Sequence, residues 1–187
     1  MSLQKASLKR AFTWLESGPV TLATTHDPAT DTDNVMTISW IMPTDFEPHR
    51  AISTGPWNES FATILATGEC CVCVPPADLL PDVVEMGVVH GSQLDKFKAF
   101  GLTRALATHV DAPLIEDCKA CIECVLEGYV EDHGLLILRG VELWENPDLA
   151  GASIFHANGD GTFVTDGELF NLRERMRKWV PRGCERL

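Results

Sequence analysis

The sequence predicts a mainly β protein of the α+β kind, an antiparallel barrel with a few peripheral helices. Two observations carry this. Six or seven short segments show strand patterning, with helical periodicity confined to the start, the middle and the end. The strands do not alternate regularly with helices, which disfavours a doubly wound parallel sheet.

Leu8, Ala11, Phe12 and Leu15 recur at helical spacing and predict a helix over about residues 5–16, stopped by Gly18-Pro19. Val20 to Thr25 reads as a strand and His26 to Asp33 as a polar loop. Asn34 to Met42 is β-like, with Met36, Ile38, Trp40 and Met42 on one face and Val35, Thr37, Ser39 and Ile41 on the other. Arg50 to Ser53 is a short strand ended by Thr54-Gly55-Pro56. Asn58 is placed to cap a helix through Thr67, with Phe61, Ile64 and Leu65 inward and Gly68 at its end. Cys70 to Val74 is a strand broken by Pro75-Pro76, and residues 78–86 a short helix. Ser92 and Asp95 form an S-x-x-D helix start before Phe97 and Phe100. Cys118 to Tyr129 is the clearest strand, and Asp132-His133-Gly134 turns it into Leu135 to Trp144. Further turns at residues 158–161 and 166–167 flank Phe163. A last helix begins near Glu168, with Leu169, Leu172, Met176 and Trp179 inward and Arg173, Arg175, Arg177 and Lys178 on its solvated face.

The chain of 187 residues suits one domain, and no linker divides it. A net charge of -12 repels nucleic acid and anionic membrane. No segment approaches the roughly 20 apolar residues of a membrane span, and the charged N-terminus is not a signal peptide. The expected location is the cytoplasm, with the 7 cysteines as reduced thiols.

Cys118, Cys121 and Cys124 have the C-x-x-C-x-x-C spacing of some iron–sulfur ligands. On a strand, however, Cys118 and Cys124 share a face about 20 Å apart, at ~3.3 Å per residue, and Cys121 points the other way. Packing is the better reading, for these and for Cys70, Cys71 and Cys73. No metal is expected: the six histidines, His26, His49, His90, His109, His133 and His156, show no ligand spacing. Hydrolase, phosphate-loop and dinucleotide fingerprints are absent. Residue chemistry alone stops at a β-rich domain with a capacity to bind a ligand.

Asn34-Val-Met-Thr-Ile-Ser-Trp40 resembles the N-x-M-T-[VI]-S-W segment of the flavin reductase-like, or flavoredoxin-like, family. Other family segments follow in order. They are Pro19 to Thr24, Ala51 to Ser53 with Ser60, Gly68-Glu69 with Val72 to Pro75, Asp95-Lys96-Phe97, Ala112 to Glu116 with Glu123-Cys124, and Gly159 to Phe163 with Asp166-Gly167. The resemblance spans about residues 18–170. It departs where Cys73 replaces an asparagine and where Gly91-Ser92-Gln93 replaces [ST]-G-R, so the phosphate and nicotinamide contacts are open.

The resemblance implies a Greek-key split β-barrel that holds FMN in a cleft near a homodimer interface. It implies that Met36, Thr37, Ile38 and Ser39 run along the flavin edge with Asn34 and Trp40 beside them; core packing claims Trp40 equally. Ser53, Thr54 and Ser60 would serve the phosphate, with Ser60 in the first turn of a helix. Lys96 would be its cation, with little role in the fold, and a plain surface lysine is the alternative. His133 is the one catalytic candidate, and a solvent-facing turn histidine competes. Phe163 would pack near the ring from the tail, from its own chain or a partner's. The implied activity is an oxidoreductase fed by NAD(P)H or a protein electron donor. The rivals are a flavin- or haem-binding sensor and a pyridoxamine-phosphate-oxidase-like FMN oxidase, which would want further basic residues for a second phosphate.

Overall fold

A computed structural model describes residues 3–15, 18–181 and 183–184. The chain opens with strand β1 (Gln4–Ala6) and a 3-10 helix over Leu8–Trp14, then β2 (Thr21–Asp27), β3 (Thr32–Ile38), β4 (Ile41–Pro43) and β5 (His49–Ser53). Helix α1 (Glu59–Thr67), β6 (Glu69–Val74), α2 (Leu80–Val88) and the single turn α3 (Lys96–Ala99) follow. Two-residue strands β7 (Arg104–Ala105) and β8 (Leu114–Ile115) precede the long hairpin β9 (Ala120–Val130) and β10 (Leu135–Glu145). A small hairpin of β11 (Phe155–Ala157) and β12 (Phe163–Thr165), then α4 (Arg173–Met176), complete the chain.

The main sheet is antiparallel throughout, in the order β3-β2-β6-β9-β10-β5-β4, with β1 also on β10. It curls into a half-barrel, so the mainly β split-barrel expectation holds. Side chains alternate faces along each strand, and each face builds a core. Inside the curl lie Met36, Ile38, Ile52, Val72, Ile122, Cys124 and Leu136, closed by Leu15 and by Phe61 and Ile64 of α1. On the outer face Leu22, Val35, Cys71, Cys73 and Cys121 are covered by α2, Phe97 and the loop ending at Ile115. Burying each large apolar side chain contributes about 1.5–3 kcal/mol.

Several expectations need correction. The N-terminal helix is a 3-10 helix over Leu8–Trp14, because residues 4–6 pair instead with β10; Glu16 lies outside the described residues. The polar segment 26–33 is mostly strand, since β2 and β3 pair out to Asp27 and Thr32. Segment 34–42 is two strands broken at Ser39-Trp40. The break inverts the alternation, so Ile41 joins Met36 and Ile38 in the core while Trp40 and Met42 face out. Leu65 also faces out. Asp95, not Ser92, caps α3, accepting from Lys98 N at 3.1 Å. Cys118 precedes β9 and lies with Cys121 on the outer face, not with Cys124. The final helix is only α4, and Leu169, Leu172, Met176 and Trp179 are exposed.

At the end of the β2–β3 hairpin, His26 Nδ1 lies 3.0 Å from Asp33 Oδ1. This hydrogen bond, against partial burial, raises the His26 pKa above 6.5. A raised folded-state value stabilises fully below the unfolded pKa and ceases to do so as pH climbs through the folded one. The stability lost in His26→Gln should therefore shrink between about pH 6 and pH 8. Urea unfolding at both pH values checks this, and a constant difference would contradict it.

Candidate functional site

β3 ends the sheet, so among the described residues no strand lies beside its outer edge. A small cleft of about 80 Å³ opens there. Its walls are β3 from Asn34 to Thr37, the start of α1 from Trp57 to Ser60, and the segment from Met86 to Gly91, with Lys96 beneath.

Polar groups inside the cleft are fixed by one another. Asn34 Nδ2 donates to Ser60 Oγ at 3.1 Å, and Thr25 Oγ1 lies 3.3 Å from that oxygen. Lys96 is almost fully buried and donates from Nζ to Val35 O at 2.7 Å and Met86 O at 2.8 Å. Burial pushes its pKa down, with Glu59 acting in the opposite sense. The side chain of Asn58 makes no capping bond to α1 and instead donates to Thr54 Oγ1 at 3.0 Å. The first N–H groups of α1 thus lack the usual side-chain acceptor, and this end of the helix, the positive end of its dipole, lines the cleft. Glu59 accepts from Ser92 Oγ and N and lies 3.5 Å from His90 Nδ1. The Ser92 hydrogen bond is the main cause of its lowered pKa. Gly91 passes so close to Asn34 that an added Cβ would sit 2.2 Å from Oδ1.

Past the strand break lies an apolar groove lined by Ser39, Trp40, Ile41, Met42, Ala51, Ser53 and Leu135. Ser53 N donates to Trp40 O at 2.9 Å, which fixes the backbone while the indole stays 68 % exposed. Buried Thr54 joins the two regions, with its hydroxyl on Met36 Sδ and its N–H on Gly134 O.

The residues expected at the site therefore separate. Asn34, Met36, Thr37, Ser60 and Lys96 line the cleft, and Ser39, Trp40 and Ser53 line the groove. Ile38 is in the core. Thr54 is buried between the two regions. His133 is exposed in the turn before Gly134 and lines neither region. Phe163 packs edge-on to Phe155, centroids 6.2 Å apart, and also lines neither. Thr37 Oγ1 donates to Val83 O at 2.7 Å, so its hydroxyl serves packing of α2. Lys96 is no surface lysine, and two backbone carbonyls depend on it, which overturns the expectation of a small role in the fold. Sequence reading missed Trp57, Glu59, His90, Met42 and Leu135. Only Gly87 and Gly91, both close-packed on β3 residues, hinted that another segment crosses there.

A half-barrel with a polar cleft at its edge strand and an apolar groove beyond defines a split-barrel protein. The chain belongs to the flavin reductase like domain family, whose model matches residues 15–164. An uncharacterized protein of Archaeoglobus fulgidus is 29 % identical over 143 residues, covering 71 % of this chain and 81 % of the relative. An FMN-binding domain of a flavin reductases-like enzyme from Shewanella baltica superposes with a TM-score of 0.82 at 21 % identity, over 91 % of this chain and 97 % of that one. Flavoredoxin of Desulfovibrio vulgaris gives 0.75 at 22 % identity, over 82 % and 89 %.

Proposed function

We propose that this chain binds FMN across the cleft and groove and works as an oxidoreductase fed by NAD(P)H or a protein electron donor. The observation that carries this reading is the pairing of two surfaces at one strand break. One is polar, with the start of α1, the Ser60 hydroxyl and the Lys96 ammonium. The other is apolar and open, with Trp40 and Met42 exposed. The polar side suits a phosphate and the apolar side a flat ring system.

The residues fit the cofactor. Lys96 uses two of its three protons on carbonyls and keeps one to donate to an anion. The start of α1 offers backbone donors. Glu59 opposes an anion, but Ser92 and the nearby His90 draw its charge aside. FMN supplies the redox chemistry, so the chain has to bind, orient and keep water out. Trp40, Met42 and Leu135 would provide that apolar bed. A pyridoxamine-phosphate-oxidase-like role fits less well, because among the described residues Lys96 is the only lysine or arginine lining cleft or groove.

The exposed apolar side chains of segment 169–180, with Trp40 and Trp57, support a homodimer. Free cysteines suit a reducing compartment such as the cytoplasm. Among the described residues no helix is long and apolar enough to cross a membrane.

Titrating the purified protein with FMN should quench flavin fluorescence to saturation, and NAD(P)H or a reduced protein donor should bleach the visible band. Protein that leaves FMN fluorescence unchanged defeats the reading. FMN bound but reduced by no donor leaves a flavin-binding sensor.

A further inference from the structure

We propose that Cys70 and Cys124 form a reactive dithiol in the barrel core that closes to a disulfide under hydrogen peroxide, with the buried Arg50 guanidinium activating Cys124.

The sheet register sets the geometry. Cys70 on β6 and Cys124 on β9 are directly opposed partners. Opposed antiparallel residues have Cα atoms about 4.5–5.5 Å apart, inside the roughly 4.4–6.8 Å that a disulfide spans. Their thiols lie close enough to perturb one another's titration. Cys73 and Cys121 are opposed in the same way, with their thiols on the outer face. Backbone geometry therefore offers two pairs, and their surroundings distinguish them.

Arg50 is 1 % exposed, and among the described residues no carboxylate pairs with it. Its Nη1 donates to Cys124 Sγ at 3.3 Å and its Nη2 to Pro48 O at 2.6 Å, while Nε is buried with no partner among the described residues. Gly140, the β10 partner of Cys124, makes the space, since a Cβ there would sit 2.6 Å from Arg50 Nη2. A guanidinium buried without a counter-charge is strongly unfavourable. The acidic group it touches is the Cys124 thiol. Burial raises the Cys124 pKa, but the Cys70 hydrogen bond and the Arg50 charge outweigh this and bring it down to about 7. Cys70 is pushed well up, first by its hydrogen bond to Cys124 and then by burial. Cys73 and Cys118, in the other group, are pushed up chiefly by burial. Burial also raises Cys121, but hydrogen bonds with those two thiols outweigh it and bring Cys121 down to about 5. It is thus the Arg50 guanidinium that sets the Cys70–Cys124 pair apart. No guanidinium or ammonium donates to any thiol of that group among the described residues.

This asymmetry assigns the order of events. The Cys124 thiolate attacks one oxygen of the peroxide, forming a sulfenic acid and releasing hydroxide. Cys70 then attacks Cys124 Sγ, the S–S bond forms, and the sulfenic oxygen leaves as water with the Cys70 proton. Two electrons pass from the two sulfurs to the peroxide. Hydrogen peroxide is small and uncharged, and it reaches the pair through local opening of the sheet.

The test is peroxide treatment of the full chain, alkylation in denaturant, and mass-spectrometric mapping. The expected product has lost two thiols, carries a Cys70–Cys124 link and is restored by dithiothreitol. In Cys70→Ala, dimedone should trap a sulfenic acid on Cys124. Arg50→Met should slow oxidation at least tenfold, and if it does not fold, the mapping and Cys70→Ala still decide. Seven alkylated thiols after long exposure, or a Cys73–Cys121 link forming first, would overturn the proposal.

Discussion

Lys96→Met is expected to lower both the stability of the protein and its affinity for FMN. In the folded chain Lys96 Nζ satisfies Val35 O on β3 and Met86 O on α2. Methionine fills a similar volume without a donor, so both carbonyls lose their partner. An abandoned buried acceptor costs about 1–3 kcal/mol, giving about 2–4 kcal/mol for the pair. At this chain length that is a fall in Tm of roughly 5–15 °C. The remaining Nζ proton is the one a phosphate would take. A charge-assisted hydrogen bond is worth about 1.5–3 kcal/mol, so FMN should bind roughly 10- to 150-fold more weakly. Calorimetry of the free protein and an FMN titration read the two effects separately. An unchanged Tm would refute the structural role, and an unchanged affinity would remove Lys96 from the site.

That double role explains how legible the site was in the sequence. The motif segments located the strand edge because they fall on β3, whose alternation the core constrains. Asn34, Met36 and Ser60 could be placed because strand alternation and a helix start fix their directions locally. Lys96 was found as a cation, but its burial was not, since residues 37 positions earlier on α1 and 61 earlier on β3 complete its surroundings. Trp40 and Met42 were put on the wrong face. Alternation assumes an unbroken strand, and here the chain leaves β3 at Ser39 and re-enters pairing at Ile41 with β5. His133 and Phe163 sit on elements that lie away from the cleft, and nothing local in the sequence encodes that separation.

The fold was more legible than the site, for a related reason. Long hairpins such as β9–β10 announce themselves through a turn and two runs of apolar residues. The misread elements are those where a distant partner overrides local periodicity. Residues 4–6 pair with β10 although they precede an amphipathic pattern. The stripe of Leu169, Leu172, Met176 and Trp179 is a genuine helical pattern that finds no core among the described residues. Periodicity reports that a face is apolar, not what covers it.

Glu123→Ala is expected to be the most damaging single change to the fold, and its cause was invisible in the sequence, where Glu123 sits between two cysteines of an apolar strand. The carboxylate is fully buried. Its Oε1 accepts from Thr108 N at 2.9 Å and from Trp144 Nε1 at 2.7 Å, and its Oε2 accepts from His109 N at 2.6 Å. These bonds fasten the loop between β7 and β8 to the outer face of the sheet, where Ala112 O also receives Cys71 Sγ. Alanine abandons three donors, two of them backbone amides. At about 1–3 kcal/mol each, with some rehydration at the half-buried Trp144, the loss is about 3–5 kcal/mol. That approaches the whole stability of a marginal domain. Glu123→Gln keeps one acceptor oxygen but turns an NH2 group toward a donor, so it should lose about half as much. Urea unfolding measures both, and hydrogen exchange at Thr108 and His109 should speed up in each variant. A loss under about 1 kcal/mol for the alanine would show that the loop holds without its anchor. Because Glu123 lines neither cleft nor groove, FMN affinity per folded molecule should not change, which separates damage to the scaffold from damage to the site.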